Sequence, residues 1–442
     1  MHASWARAVG CPLRTRDGEP VCVVYPGIPA GSFGPDYRDA VVSFGHSPPS
    51  LGDIELHLHS ADWRRHGHDA DAAYDRVILH VVGDESGDSG SCVVAGHRVP
   101  ELILAGERVA RARTPLPCSR RGERHGGVVW AVLAQAGLER LRSRAGAFAA
   151  EPAARTPRLQ LCLKVARALG YVANADAAEE LGRRLAACGL TNSLPSSEPE
   201  YRRALAVGLA GLLPSQRTDG AGGVESLAQW EGWWRGLVPA LSPMEPRAWR
   251  LSGLYPNNSP VRRVIALADL WPSIPAAGDA AIKLVNECCA EPRRCAADVE
   301  ALFRRAGEGY WRHHYDFGLA TRESDLVGGS KAREVVVNAV LPWVASLARV
   351  ANDVPLGAAI ARLSLGYPSA AENAVTRHMR RQLNLDRAAL TAAEQQGMVH
   401  LFREYCRSGR CDDCPLGGLW ARRARRRAAL FQCAGIADVT CP

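Results

Sequence analysis

The chain has 442 residues, 54 Lys and Arg against 46 Asp and Glu, a net charge of +8, and 47% hydrophobic residues. This length accommodates about two to three domains with filled cores, and the composition excludes a disordered or fibrous chain. The mild positive charge permits a polyanionic partner without requiring one.

The first twenty residues lack the apolar core of a secretory signal, and the most apolar later run, Val335 to Val350, is broken by Asn338, Pro342 and Arg349. The expectation is a cytoplasmic protein without a membrane span. Its fourteen cysteines are then reduced or bound to metal instead of paired as disulfides.

In chain order, residues 20–25 (PVCVVY) predict a short strand, followed by a Gly/Pro-rich loop that contains GPDY at 34–37. Val41 to Phe44 predicts a second strand, and GHSPPSLG at 45–52 a turn. Residues 52–59, GDIELHLH, then alternate strictly: Asp53, Glu55, His57 and His59 against Ile54, Leu56 and Leu58. A period of two belongs to a strand with one face on a core, and this strand pairs with its predecessor as a hairpin. Its other face carries carboxylates and imidazoles, the oxygen and nitrogen donors that divalent metals take. The competing reading is an exposed polar edge.

Residues 62–75 predict a polar loop or short helix. VILHVVGD at 77–84 predicts an interior strand of a parallel sheet, and VVAGHRVPELIL a further hairpin-like pair. From Val128 the apolar period is helical, over 128–144, 157–170, 176–187, 200–213, 225–237, 261–270, 278–290, 297–307, 332–350, 369–382, 386–396 and 397–405. The expected fold class is therefore α+β, with an α/β domain at 1–126 and a mostly helical domain at 127–442 that ends in a Cys cluster at 406–433.

Pro35-Asp36 at the start of one strand and Glu55-Leu56-His57 on its hairpin partner resemble the plan of the PD-(D/E)XK nuclease superfamily. The resemblance implies a restriction-nuclease-like N-terminal domain cleaving phosphodiesters of nucleic acid. In that plan Asp36 and Glu55 would hold Mg²⁺ or Mn²⁺ through oxygen. The metal activates water and offsets phosphate charge, and the third residue positions or deprotonates that water. Here the usual Lys is His57. A neutral imidazole serves as a base or a ligand but does not reproduce a fixed ammonium.

His66, His68 and His80 offer further donors. Their structural readings are a loop capped by Asp69 and Asp71, and a satisfied core histidine. Two alternatives stand beside the nuclease: a nucleic-acid-binding protein that kept the fold without catalysis, and a zinc hydrolase of a small substrate using His57, His59 and His66.

A wider set of residues resembles the signature of the bacterial domain-of-unknown-function family 2851. It comprises GPDY at 34–37, GDIELHLHSADWRRHGHDADAAYDRVILHVV at 52–82, LYPNNSPVRR at 254–263, YW at 310–311, EVVVNAVLPW at 334–343 and YCRSGRCDDCPLG at 405–417. Leu254-Tyr255 departs from the Arg-Pro that relatives often show. The resemblance covers almost the whole chain and implies no activity, so the nuclease expectation rests on Asp36, Glu55 and His57.

Cys406, Cys411 and Cys414 give C-x4-C-x2-C, a spacing suited to Zn²⁺ or a [4Fe–4S] cluster. Cys433 is the expected fourth ligand, and His400 the other candidate. The competing reading is a Cys-rich turn with reduced thiols. Cys288, Cys289 and Cys295 predict helix packing. Arg422, Arg423, Arg425, Arg426 and Arg427 form either a phosphate contact or a solvated helix face. The turn with Asn257, Asn258, Arg262 and Arg263 either binds an anion through its amides or caps a helix.

Overall fold

Alternating and all-apolar segments of the first hundred residues assemble one mixed sheet. The structure is a computed structural model that describes residues 1–11, 13–31, 34–83, 92–104, 116–119, 126–151, 155–188, 198–217, 227–237, 241–252, 254–255, 258–288, 291–385 and 389–417. The chain is α+β, with a sheet-bearing N-terminal region followed by mostly helical sequence.

The sheet contains β1 (Leu13–Arg14), β2 (Pro20–Tyr25), β3 (Ile28–Pro29), β4 (Tyr37–Phe44), β5 (Ser50–His57) and β6 (Val77–Val82). After a separate antiparallel hairpin of β7 (Cys92–Val94) and β8 (His97–Val99), β9 (Glu101–Ile103) completes it. The order is β1-β2-β4-β5-β6-β9, with β3 beside β4. β4 and β5 pair antiparallel across the Pro/Gly turn, whereas β6 runs parallel to both β5 and β9.

β5 therefore lies inside the sheet. Asp53, Glu55 and His57 are 4%, 6% and 7% exposed, which rules out the exposed-edge reading. The alternation holds through His57. Ile54 and Leu56 face a core with Trp5, Val23, Val42, Leu79, Val81 and Leu102. The strand ends two residues before the alternating sequence does, leaving Leu58 and His59 exposed.

Two local features set the register of β4 on β5. Tyr37 opposes Ile54 but Ala40 opposes Gly52, so β4 holds one extra residue. That bulge is centred on Asp39, in the left-handed region at φ 56, and the Asp39 N–H donates to Asp53 Oδ1 at 3.0 Å. Bulges of this kind bend a strand and re-aim its side chains. Gly52 lies under β6, where a Cβ would meet Ile78 Cγ2 at 2.3 Å and Arg76 O at 2.9 Å, so only glycine permits the close strand approach.

The chain divides into two units. The first comprises Met1–Gly137, Glu372–Ala389 and Glu394 onward, and the second Leu138–Ala371 with Leu390–Ala393. This differs from the division expected at 126/127. The boundary falls inside the helix Gly126–Ala149, and the segment after Glu372 belongs with the sheet. The reason is packing that helical periodicity does not reveal. Tyr25 of β2 meets the rings of His378 and Phe402. At Gly397 a Cβ would stand 1.9 Å from Leu133 O, and Gly409 seats against Val24 and Val41.

The second unit is helical. Pro157–Leu169, Pro199–Leu209, Pro260–Leu270 and Pro292–Ala301 each begin on proline, where the missing N–H costs nothing. The run expected over 332–350 is Gly329–Val335 continued through a π turn, Val336–Val340, into Leu341–Val350. Pro342 cannot donate to the Asn338 carbonyl, and Arg144 donates to that carbonyl instead. Cys295 packs in this core with its thiol toward Leu284 O. Among the described residues no helix is long and apolar enough to cross a membrane.

Arg262 and Arg263 are buried and do not form an anion-binding turn. Asn257 lies outside the described residues. The Arg262 guanidinium is 0% exposed and donates to Trp311 O at 2.6 Å, Ser324 O at 2.7 Å and Ser324 Oγ at 2.8 Å, and also to His314 O. One planar cation thus satisfies several carbonyls of the loop at 311–325. Arg262→Met is expected to destabilise the second unit by about 3–5 kcal/mol in denaturant melts, because it orphans those carbonyls. A loss below about 1 kcal/mol would show that the loop finds other donors.

Candidate functional site

Asp36 stands just before β4 and Glu55 on β5, so the hairpin register brings them opposite one another. The Asp36 N–H donates to Glu55 Oε2 at 3.0 Å, and the Leu56 N–H donates to Asp36 Oδ2 at 3.0 Å. His57, two residues on, projects to the same face: its Nε2 lies 3.4 Å from Glu55 Oε1.

The crossover from β5 to β6 supplies two more imidazoles. It forms a short helix, α2 (Asp62–Arg65), after α1 (His2–Ala6) at the N-terminus, and then two tight turns. Gly67 between them takes φ 73, a left-handed conformation natural to glycine. This turn places His66 Nδ1 3.1 Å from His57 Nε2 and stacks His68 on His57 with ring centroids 5.2 Å apart. Donor atoms of His57, His66 and His68 lie within 4.8 Å of one another, a spacing that one metal ion spans. His68 Nε2 is 3.4 Å from Glu55 Oε1. It is buried without a hydrogen-bond partner, a costly state for a polar atom that a bound cation would relieve.

Behind His57 runs a chain of polar groups across three parallel-paired strands. His57 Nδ1 contacts His80 Nε2 at 2.9 Å, and His80 Nδ1 lies 3.4 Å from Glu101 Oε2 on β9 and 3.3 Å from the Cys92 thiol. Ser60 and Arg16 also donate to Glu101. A carboxylate only accepts, so it draws the proton of His80 to Nδ1 and leaves Nε2 to accept from His57 Nδ1–H. His57 then directs the bare lone pair of Nε2 at Glu55, His66 and His68. A carboxylate that orients an imidazole in this way supports metal ligation. His80 is fully buried, as a core histidine would be, but it is wired into the site.

The electrostatics agree with this arrangement. Burial, and then the Asp36 charge, push the Glu55 carboxyl up to about 8. Burial and the neighbouring His80, His68 and His66 bring His57 down to about 3, and burial also lowers His68. Burial alone would raise Glu101, but hydrogen bonds involving His80, Ser60 and Arg16 carry it down to about 2. Near neutrality Glu55 therefore holds its proton and His57 is uncharged, while Glu101, one layer deeper, is ionised. That donor set of oxygen and neutral nitrogen suits Mn²⁺, Zn²⁺ or Fe²⁺, and less well Mg²⁺, which prefers oxygen.

Of the residues singled out in the sequence, Asp36, Glu55, His57, His66, His68 and His80 come together. His59 is exposed beyond the strand end and takes no place in the imidazole group, so the set His57, His59 and His66 is not the one that converges. Glu101, Ser60 and Arg16 were not foreseen; each is a single polar residue in a short or irregular segment.

The cysteines form a second cluster in the same unit. Cys406, Cys411 and Cys414 line one pocket with Tyr25, Gln382 and an unforeseen member, Cys118. Cys433, Cys289 and Arg422 to Arg427 lie outside the described residues.

Residues 5–364 match the family described as protein of unknown function (DUF2851), and no curated protein or solved structure matches the chain.

Proposed function

The chain belongs to the DUF2851 family, and from the geometry of its site we propose that it is a metal-dependent phosphodiesterase acting on nucleic acid, with Asp36, Glu55 and His57 at its centre. The observation that carries this reading is the meeting of Glu55 on β5 and Asp36, just before the antiparallel β4, with a lone-pair imidazole nitrogen and a buried, unpartnered His68 Nε2. Glu55, His57 and His68 would hold Mn²⁺ or Mg²⁺, with His66 closing the set and Asp36 alongside Glu55. A divalent ion so placed lowers the pKa of bound water and offsets charge on the phosphate.

The chain's own residues do the rest. Glu101 and His80 fix the tautomer of His57, Trp63 and Tyr74 wall His68 from solvent, and the exposed His66 stands at the mouth of the site. Arg64 and Arg65, exposed immediately before His66, bring positive charge to the mouth of the site, as phosphate backbones favour.

Purified protein with Mn²⁺ or Mg²⁺ is expected to cleave at least one of labelled single-stranded DNA, duplex DNA or RNA. Binding without cleavage of any of them would favour a non-catalytic nucleic-acid-binding protein. The convergence of three imidazoles supports a second reading, a zinc hydrolase of a small substrate. Stoichiometric zinc with ester hydrolysis and inert nucleic acid would establish that one.

His80→Leu, which touches no metal in either reading, is expected to weaken metal affinity about 10–100-fold by releasing the tautomer of His57. His59→Ala should leave affinity unchanged. Calorimetric titration with Mn²⁺ on both variants checks this, and equal affinities would show that the His57–His80 contact does not orient the ligand.

A further inference from the structure

The second cluster of the first unit has no part in the chemistry proposed above. Its four thiols come from distant parts of the sequence. Cys118 precedes the helix Gly126–Ala149, and Cys406, Cys411 and Cys414 follow the helix Ala392–Glu404 on a turn that packs against β4. The turn is tight by construction: Gly409 takes φ 63, and a Cβ on Gly417 would lie 2.0 Å from Cys411 O. Cys406 and Cys414 are 7% and 8% exposed.

The pocket that the four sulfurs surround is lined by no Lys, Arg or His among the described residues. Buried thiols gathered without a cation are poor hydrogen-bonding partners for one another, and burial raises all four above the ordinary thiol value. The Gln382 side chain points its Nε2 at Cys118 Sγ (3.1 Å) and Cys406 Sγ (3.9 Å), and backbone groups of Leu416 and Gly417 hydrogen-bond Cys414. The free cysteines include all four of these thiols.

We propose that Cys118, Cys406, Cys411 and Cys414 ligate a [4Fe–4S] cluster, with Gln382 donating to two of the ligand sulfurs. Spacing decides between this and a single zinc ion. Tetrahedral Zn–S bonds of ~2.3 Å place sulfurs about 3.8 Å apart, whereas no three of these sulfurs lie within 4.8 Å of one another. A cubane cluster holds its thiolates further apart than one ion does, and four Cys is its usual ligand set. In this assignment Cys118 is the fourth ligand; Cys433, the one expected from the sequence, lies outside the described residues. The cluster would tie the first stretch of the first unit, Met1–Gly137, to the one that begins at Glu394, a closure of long chain that stabilises the folded state.

The test uses the full chain produced and purified without oxygen. The expected result is a brown protein with about four iron and four acid-labile sulfide per chain. Cys118→Ser should lose both, and Cys433→Ser should retain both. Gln382→Leu leaves every ligand in place; its cluster should persist with a lower reduction potential, because an N–H···S bond that stabilises the reduced charge is gone. One zinc per chain with no iron, an interthiol disulfide in place of metal, iron that depends on Cys433 and not on Cys118, or an unchanged potential in Gln382→Leu would each overturn the assignment. None of these outcomes bears on the metal centre proposed at Glu55, whose failure is read from cleavage and from Mn²⁺ titration.

Discussion

Glu55→Gln is expected to cut metal-dependent cleavage by about 10²–10³-fold or more without weakening the fold. The two halves of that expectation come from the same geometry. In the metal-free chain Glu55 is 6% exposed and its carboxyl is raised to about 8, so near pH 7 the native group is already neutral. A Gln of the same shape and charge can still accept the Asp36 N–H that Glu55 Oε2 accepts now. What it cannot do is become an anion when a cation arrives. The loss therefore falls on metal binding and on stabilisation of phosphate charge, and folding is spared. Cleavage rates with Mn²⁺, set beside thermal melts of the same preparations, check both halves. Undiminished cleavage would assign the activity to another site or to a contaminant. A melt lowered by more than about 2 kcal/mol would make Glu55 a structural group whose charge the fold requires.

Much of this centre was legible because its chemistry is local. The strict alternation from Asp53 to His57 declares a strand, and a short Pro/Gly turn before it declares the hairpin that sets Asp36 against Glu55. His66 and His68 follow within one crossover, so they are confined near the strand end. The alternation misled only at His59, because periodicity continues in the sequence for two residues after the strand's pairing partners stop.

What could not be read is what arrives from far away. Glu101 is one acid in a three-residue strand, and its pairing with His80 depends on sheet order that no local pattern encodes. Cys118 has no neighbouring cysteine to announce it, and it meets its partners only because residues after Glu372 return to the sheet. Helical periodicity marked 369–382, 386–396 and 397–405 as helical, where the described residues form Ala374–Gln382 and one helix, Ala392–Glu404, in place of the last two. Which core they pack on is decided by Tyr25, Gly397 and Gly409, contacts that are silent in a window of eighteen residues.

Metal binding is expected to release about one proton near pH 7, and affinity to rise roughly tenfold per pH unit from pH 6 toward pH 8 before levelling off. Between pH 4.5 and about 8 the folded, metal-free chain keeps a proton on Glu55 that the unfolded chain has lost, so this group makes stability fall as pH rises through that window. His57 acts in the opposite sense. Its value drops from 6.5 to about 3, so between those limits the unfolded chain binds the extra proton and stability rises with pH. The two oppose each other below pH 6.5. Above it only Glu55 contributes, and the apo chain should lose up to about 2 kcal/mol by pH 8. A saturating cation removes the cause, since it binds the carboxylate form, and the slope should flatten or reverse. Titration of Mn²⁺ in two buffers of different ionisation heat counts the proton, and melts at several pH values with and without Mn²⁺ give the slopes. Glu55→Gln should abolish both the proton release and the decline above pH 6.5. A wild-type chain that releases no proton and binds equally at pH 6 and pH 8 would mean that the cation does not displace the Glu55 proton, and the carboxylate would then have to be struck from the ligand set.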